Sequence, residues 1–210
     1  MLKLPLCFII YSNFISCKKF FLMAKVKYKQ PTLFPLTELQ DYFVLISPTD
    51  EVKKETKKLK NKLYKIIGRT TENEYSVAHI SLFKAKYERD NHLLEKLKKA
   101  LADLKPFAVS TNEAEVFSHG ATKKTVYLKI ENPKPIQALF ESIGEEFKFK
   151  KEIVPHLTIE QNLTIADFEK IENDLNAFNY KSEWICDRIT VLKRNPKKGT
   201  YKLMEEILLQ

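Results

Sequence analysis

Val77-Ala78-His79-Ile80-Ser81-Leu82-Phe83-Lys84-Ala85 alternates in a way that suits a β-strand, with Ile80 and Leu82 apolar and His79 and Ser81 polar. Along a strand, residues i and i+2 share a face, so His79 and Ser81 are predicted to point away from a core that takes Ile80 and Leu82. The pattern recurs once. In Pro155-His156-Leu157-Thr158-Ile159 the imidazole and hydroxyl again lie two residues apart, flanked by Leu157 and Ile159. Two strands with one polar design, far apart in the chain, predict a duplicated architecture.

The elements around them agree. Tyr42-Phe43-Val44-Leu45-Ile46 is a buried strand ended by Ser47-Pro48. A helix capped by Asp50 follows, with Val52, Leu59, Leu63, Ile66 and Ile67 as its apolar stripe and Gly68 at its C-terminal cap. After the first His strand, a helix from about Asp90 carries Leu93, Leu94, Leu97, Leu101 and Leu104, and Phe107 to Phe117 is extended. The order then repeats: a strand Thr125 to Ile130, a helix with Ile136, Leu139, Phe140, Ile143 and Phe147, and the second His strand. Thr164 and Asp167 form a capping pair for a helix bearing Ile165, Phe168, Ile171, Leu175 and Phe178. Extended chain from Trp184 to Leu192 and a last strand near Tyr201 to Leu209 close the pattern. This is an α+β fold. Two pseudo-symmetric lobes are expected, each a mostly antiparallel sheet with helices on its outer face, and a cleft between them that receives one His strand from each side.

The chemistry follows from the residue types. About 7 Å separates residues i and i+2 of a strand, a span that holds a tetrahedral anion between imidazole and hydroxyl. Cleaving a phosphodiester needs one group to activate a nucleophile and another to protonate the leaving oxygen. Histidine, with an ordinary pKa of about 6.5, can serve as either near neutral pH. With four glycines in the chain, no phosphate-cradling glycine loop is present, and no carboxylate cluster suggests a two-metal site. A lone histidine on an apolar strand is more often a packed core residue; a matched pair at equivalent places of a repeat is not explained that way. His92, beside Asn91 at a helix start, lacks this context. His119, in the Ser118-His119-Gly120 turn, is placed at the cleft mouth. Two histidines alone do not complete a zinc site, and no C-x-x-C spacing offers one, so no metal or cofactor is expected.

The net charge of +9 favours phosphate-bearing partners, although a lysine-rich solvated surface has the same composition. The 44% hydrophobic and 30% charged content fits a folded domain with a solvated surface. Cys7 and Cys17 precede Met23 and Cys186 stands alone after it, which leaves no internal disulfide and points to the cytoplasm. Residues 1–22 contain an apolar stretch broken by Ser12, Asn13, Lys18 and Lys19. It is too short to span a bilayer, and is read as an extension from a misassigned start, with a signal or anchor as the alternative. Residues 23–210 are expected to form a single bilobal domain, monomeric and without stable membrane association.

The tetrapeptides His79-Ile80-Ser81-Leu82 and His156-Leu157-Thr158-Ile159, each on a predicted strand, resemble the H-x-[ST]-φ motifs of the two-histidine phosphoesterase superfamily. That superfamily includes bacterial 2′-5′ RNA ligase-like proteins and cyclic phosphodiesterases, and the resemblance covers about residues 38 to 209. It implies that His79 and His156 act as the acid and base, that Ser81 and Thr158 steady the phosphate, and that no metal takes part. It also implies RNA or a small nucleotide cyclic phosphate as the partner, through 2′,3′-cyclic or 2′-5′ phosphodiesters. Two departures stand out. Glu160-Gln161 follow the second motif where some relatives are basic, and Phe117 to Lys124 offers Lys123 and Lys124 where RNA-ligase-like members often carry arginine. Phe83 and Phe117 are candidates to stack on a base, but core packing is the first reading for each. The competing functions are the same chemistry on another small cyclic phosphate, such as one derived from ADP-ribose, and a catalytically idle RNA-binding module.

Overall fold

The computed structural model describes residues 38–196 and 198–210. The N-terminal extension, residues 1–22, lies outside them.

Two four-stranded antiparallel sheets form the frame. The first has the order β2-β1-β7-β8, from β1 (Gln40–Ile46), β2 (Ile80–Tyr87), β7 (Arg188–Asn195) and β8 (Lys198–Leu208). The second has the order β5-β4-β3-β6, from β3 (Phe107–His119), β4 (Lys123–Ile130), β5 (His156–Thr164) and β6 (Ser182–Cys186). The α+β, two-sheet architecture expected from the repeat is present, but the lobes are not the two halves of the chain. β3, the closing strand of the first half, pairs with β4 and β6 of the second sheet, while β7 and β8 complete the first. Each half therefore lends strand to the other.

Helix α1 (Asp50–Ile67) connects β1 to β2. Its cap is Thr49, whose hydroxyl accepts from the Val52 amide, and not Asp50, which is the first helical residue. It ends as expected at Gly68, at φ 78°, a left-handed conformation that costs a residue with a Cβ more than it costs glycine. Helices α2 (Asp90–Leu101) and α3 (Lys134–Phe147) pack against each other, and Ser142 donates to the Ala100 carbonyl at 2.6 Å across that contact. The helix predicted through Phe178 is broken. It runs only over α4 (Ile165–Glu169), capped by Thr164 as expected, and a 3₁₀ segment takes over from Glu172 to Phe178.

One cluster of buried apolar side chains extends through both sheets, from Tyr42, Val44 and Ile46 to Leu128, Leu157 and Ile159. The sheets are also tied through α1. Lys62 donates to the Ala177 carbonyl at 2.9 Å, Lys170 donates to that of Ile67 at 3.1 Å, and Arg69 pairs with Asp167. Among the described residues no helix is long and apolar enough to cross a membrane.

Gly68 gives a direct test of the cap. A Cβ there meets nothing within 4 Å, so the cost of Gly68→Ala is conformational alone. Urea denaturation is expected to show a loss of about 1–2 kcal/mol.

Candidate active site

β2 and β5, the outer strands of the two sheets, come into contact, and the two His motifs meet there. β2 begins at Ile80, so His79 stands just ahead of it, whereas His156 opens β5. Both imidazoles, Ser81 and Thr158 line one cavity of about 290 Å³.

Each imidazole is held in the same way. His79 Nδ1 donates to the Val77 carbonyl at 2.7 Å and His156 Nδ1 donates to that of Val154 at 2.8 Å. A carbonyl can only accept, so Nδ1 carries the proton and Nε2 keeps its lone pair. Nε2 is then the atom free to take up or release a proton. Aromatic rings brace both histidines edge-on: Phe43 lies 5.2 Å from His79, and Phe117 and Tyr127 lie 5.0 and 5.3 Å from His156. Burial holds both imidazoles below the ordinary histidine pKa, only partly opposed by their bonds to the Val77 and Val154 carbonyls. The positive charge of Lys84 acts on His79 in the same direction as burial. The resting site is set toward two neutral bases.

The two motif strands share an irregularity. Leu45 and Val44 pair with Ser81 and Phe83, which leaves Leu82 as an extra residue; Tyr127 and Val126 pair with Thr158 and Glu160, which leaves Ile159 as one. Such a bulge reverses the alternation of facing beyond it. Phe83 is therefore turned away from the cavity, against Phe147 at 4.9 Å and Phe149 at 5.8 Å, while Lys84 lines it. Of the two roles the sequence left open for Phe83, the structure shows core packing.

Glu160 is displaced in the same way and reaches no solvent at all (0% exposed). Its carboxylate accepts from Tyr64 Oη at 2.5 Å, from Thr71 Oγ1 and Asn73 Nδ2 at 3.0 Å each, and from the Gln161 amide at 3.1 Å. Burial and this carboxylate push the Tyr64 hydroxyl up to about 12. Glu160, which also borders the cavity, fastens the segment after Gly68 onto β5.

Lys60 was not singled out from the sequence. It is buried, lines the cavity, and donates to the carbonyls of Asn73 at 2.9 Å and Ser76 at 3.0 Å. Burial draws its pKa down, opposed by the charge of Glu160. The signal was available: Thr56 and Lys60 continue the spacing of Val52 and Leu63 along the buried face of α1. Phe43 and Tyr201 also line the cavity, 5.7 Å apart.

The remaining candidates lie outside the cavity lining. Phe117 stacks on Tyr127 at 4.0 Å and reaches the site only through His156. His119 is bonded to Thr125 Oγ1 at 2.9 Å. Lys123 donates to the Asn162 carbonyl at 3.3 Å, and Lys124 donates to Ser118 Oγ at 2.8 Å.

A model of the family described as the 2′-5′ RNA ligase superfamily matches residues 48–198, which contain both His motifs. The chain belongs to that family, the two-histidine phosphoesterases. Among members, a Staphylococcus epidermidis protein named "Putative phosphoesterase" is 23% identical over 147 residues, 66% of this chain and 85% of the relative. A Staphylococcus aureus (strain Newman) protein of the same name is 28% identical over 105 residues, 49% of this chain and 62% of the relative. In fold, the chain is similar to E. coli LigT in a structure complexed with NADP+, with TM-score 0.57, 16% identity, and coverage of 82% of this chain and 99% of LigT. TT0787 of Thermus thermophilus is similar at TM-score 0.55, with 16% identity and coverage of 80% and 97%. These likenesses agree with the pair of antiparallel sheets and their helices.

Two measurements test this two-histidine site. Glu160→Leu removes the acceptor of the buried Tyr64 hydroxyl and of three part-buried donors, so a stability loss on the order of 1–3 kcal/mol is expected in urea. In NMR titrations, both imidazoles should titrate below about 6.5, and inorganic phosphate should raise them by favouring the charged form. The sign for stability follows. An unfolded chain binds protons before these histidines do, so their contribution is complete above about pH 6.5 and is lost as the pH falls toward the folded values. Titration of either imidazole at or above the ordinary value would contradict the geometry.

Proposed function

We propose that this two-histidine phosphoesterase cleaves 2′,3′-cyclic or 2′-5′ phosphodiesters of RNA or small nucleotides, with His79 and His156 as its acid–base pair and no metal in the step. The observation that carries the reading is the matched fixation of the two imidazoles, each Nδ1 tied to the carbonyl two residues earlier, in one cavity. LigT, which shares the fold, is known in complexes with 3′-AMP and with phosphate.

The residues suit the steps. A bound phosphate brings negative charge between the imidazoles, which raises their affinity for a proton and allows one to be charged while the other stays neutral. The neutral Nε2 removes a proton from water as its oxygen attacks phosphorus. The charged Nε2 gives its proton to the departing ribose oxygen, so the ring opens to a monoester and the two histidines exchange protonation states. Ser81 and Thr158 donate to non-bridging oxygens, and Lys60 and Lys84 supply the positive field. Confinement in a cavity of about 290 Å³ strengthens those interactions relative to open water. In ligation a 5′-hydroxyl takes the place of water: the neutral Nε2 removes its proton as its oxygen attacks phosphorus, and the charged Nε2 gives a proton to the departing ribose oxygen, so the ring opens to a diester.

The test is turnover of a nucleoside 2′,3′-cyclic phosphate with EDTA present. His79→Ala and His156→Ala are each expected to lose on the order of 10²–10⁴-fold in kcat, and the double variant less than the product of the two. Ser81→Ala and Thr158→Ala should lose less, because proton transfer is left in place. The pH profile should be bell-shaped. Full activity in either histidine variant, or loss in EDTA with rescue by a divalent metal, overturns the mechanism.

A further inference from the structure

Next to the catalytic cavity lies a second hollow of about 320 Å³, and the two share walls: Lys60, Ser76, Val77 and Thr158 line both. One side of the second hollow is the face of α1 that carries Lys53, Lys54 and Lys57. The other side is the segment Glu74 to Ala78, with the Tyr75 ring 88% exposed at its lip. The geometry points to this hollow as a binding groove for the phosphates of a nucleotide chain that continues outward from the phosphate held between His79 and His156. The inference rests on the proposed phosphodiesterase reading and narrows it, from nucleotides in general to the end of an oligonucleotide.

Charge is the first argument. Four lysines and a single acid, Glu74, line the hollow. Lys53 is engaged by Asp50 at 3.0 Å, but Lys54 and Lys57 have no carboxylate partner among the described residues. Unpaired lysines beside a site that handles phosphate are available to neutralise further phosphates. Spacing is the second. Lys53, Lys57 and Lys60 follow one another along one face of the helix, one turn apart, and a helix advances about 1.5 Å per residue. The resulting row runs from the outside to Lys60, whose ammonium stands on the wall common to both hollows. Tyr75 is the third. An aromatic ring so exposed at the rim of a phosphate groove offers a face for a base to stack on without regard to its identity. The wall that carries it is rigidly seated, because Lys60 grips the carbonyls of Asn73 and Ser76 from below.

The experiment measures fluorescence anisotropy of a short labelled oligoribonucleotide ending in a 3′-phosphate, with a nucleoside 3′-monophosphate as the competing ligand of the catalytic cavity. The full chain is compared with Lys54→Gln/Lys57→Gln and with Lys98→Gln/Lys105→Gln, which removes the same charge outside both hollows. Expected are tighter binding of the oligonucleotide than of the mononucleotide, and a loss on the order of tenfold in the groove variant, the combined worth of two exposed ion pairs. The slope of log affinity against log salt should shrink by about 0.7 for each phosphate released. The mononucleotide affinity should not change, and the control variant should bind as the unaltered chain does. Equal affinity for the two ligands, no effect of the groove variant, or equal losses in both variants would overturn the groove. Turnover of a cyclic mononucleotide is read separately: its absence in the unaltered chain would reject the catalytic reading and leave the binding comparison to decide the groove.

Discussion

A carboxylate without solvent is the constraint on which the site depends. Glu160 is buried completely, and burying such a group is unfavourable unless its oxygens find donors. Tyr64 supplies one from α1, Thr71 and Asn73 supply two from the segment after Gly68, and the Gln161 amide supplies the fourth. Meeting that demand fixes the segment against β5. With Asn73 and Ser76 in place, their carbonyls receive Lys60, and the carbonyl of the next residue, Val77, holds His79. Glu160 is in the second sheet and His79 belongs to the first. The carboxylate thus links the placement of one imidazole to the strand that bears the other.

The bulges explain why this arrangement was only partly legible. Alternation identified His79, Ser81, His156 and Thr158 because each pair lies before its bulge, where period two still holds. At Leu82 and at Ile159 one extra residue enters the strand, and the facing of everything beyond it is reversed. Phe83 and Glu160 are each the first residue past that point: Phe83 turns into the core against Phe147, and Glu160 turns its carboxylate onto the segment after Gly68. A bulge has no side-chain signature here: Leu82 and Ile159 are ordinary buried residues. The partner strand decides which residue is left unpaired, and partner choice is a tertiary fact.

Strand exchange was hidden for the same reason. The order of elements, the helix stripes and the Gly68 and Thr164 caps are local properties, and local patterns carried them. Which sheet receives β3 depends on what else can cover its apolar face, and both sheets offer an open edge to an antiparallel strand. Lys60 shows the opposite case. Its position was readable, since it falls in the buried stripe of α1 between Thr56 and Leu63, but in a helix so rich in lysine the stripe was drawn through Leu59 and Ile66 instead. Leu59 is only partly buried and Ile66 is 38% exposed. A charged residue at a core position, normally a reason to shift the stripe, was here the informative one.

Sharing strands between the sheets has a consequence for catalysis. In a pair of lobes made from separate halves of a chain, a hinge could open the cleft and change the distance between the histidines. Here β3 and β7 cross between the halves, α2 packs on α3 on one side, and α1 is tied to the second sheet by Lys62, Arg69 and Tyr64 on the other. Opening would have to break these contacts together. The fold therefore presents both Nε2 atoms in a fixed relation before any phosphate arrives, and preorganised groups of that kind need no rearrangement as charge develops on the reacting phosphate. Burial holds both imidazoles low in the absence of ligand, so in the mechanism we propose the anion itself supplies the condition under which one of them becomes the acid. Under the proposed mechanism, substrate binding and the arming of the acid are a single electrostatic event.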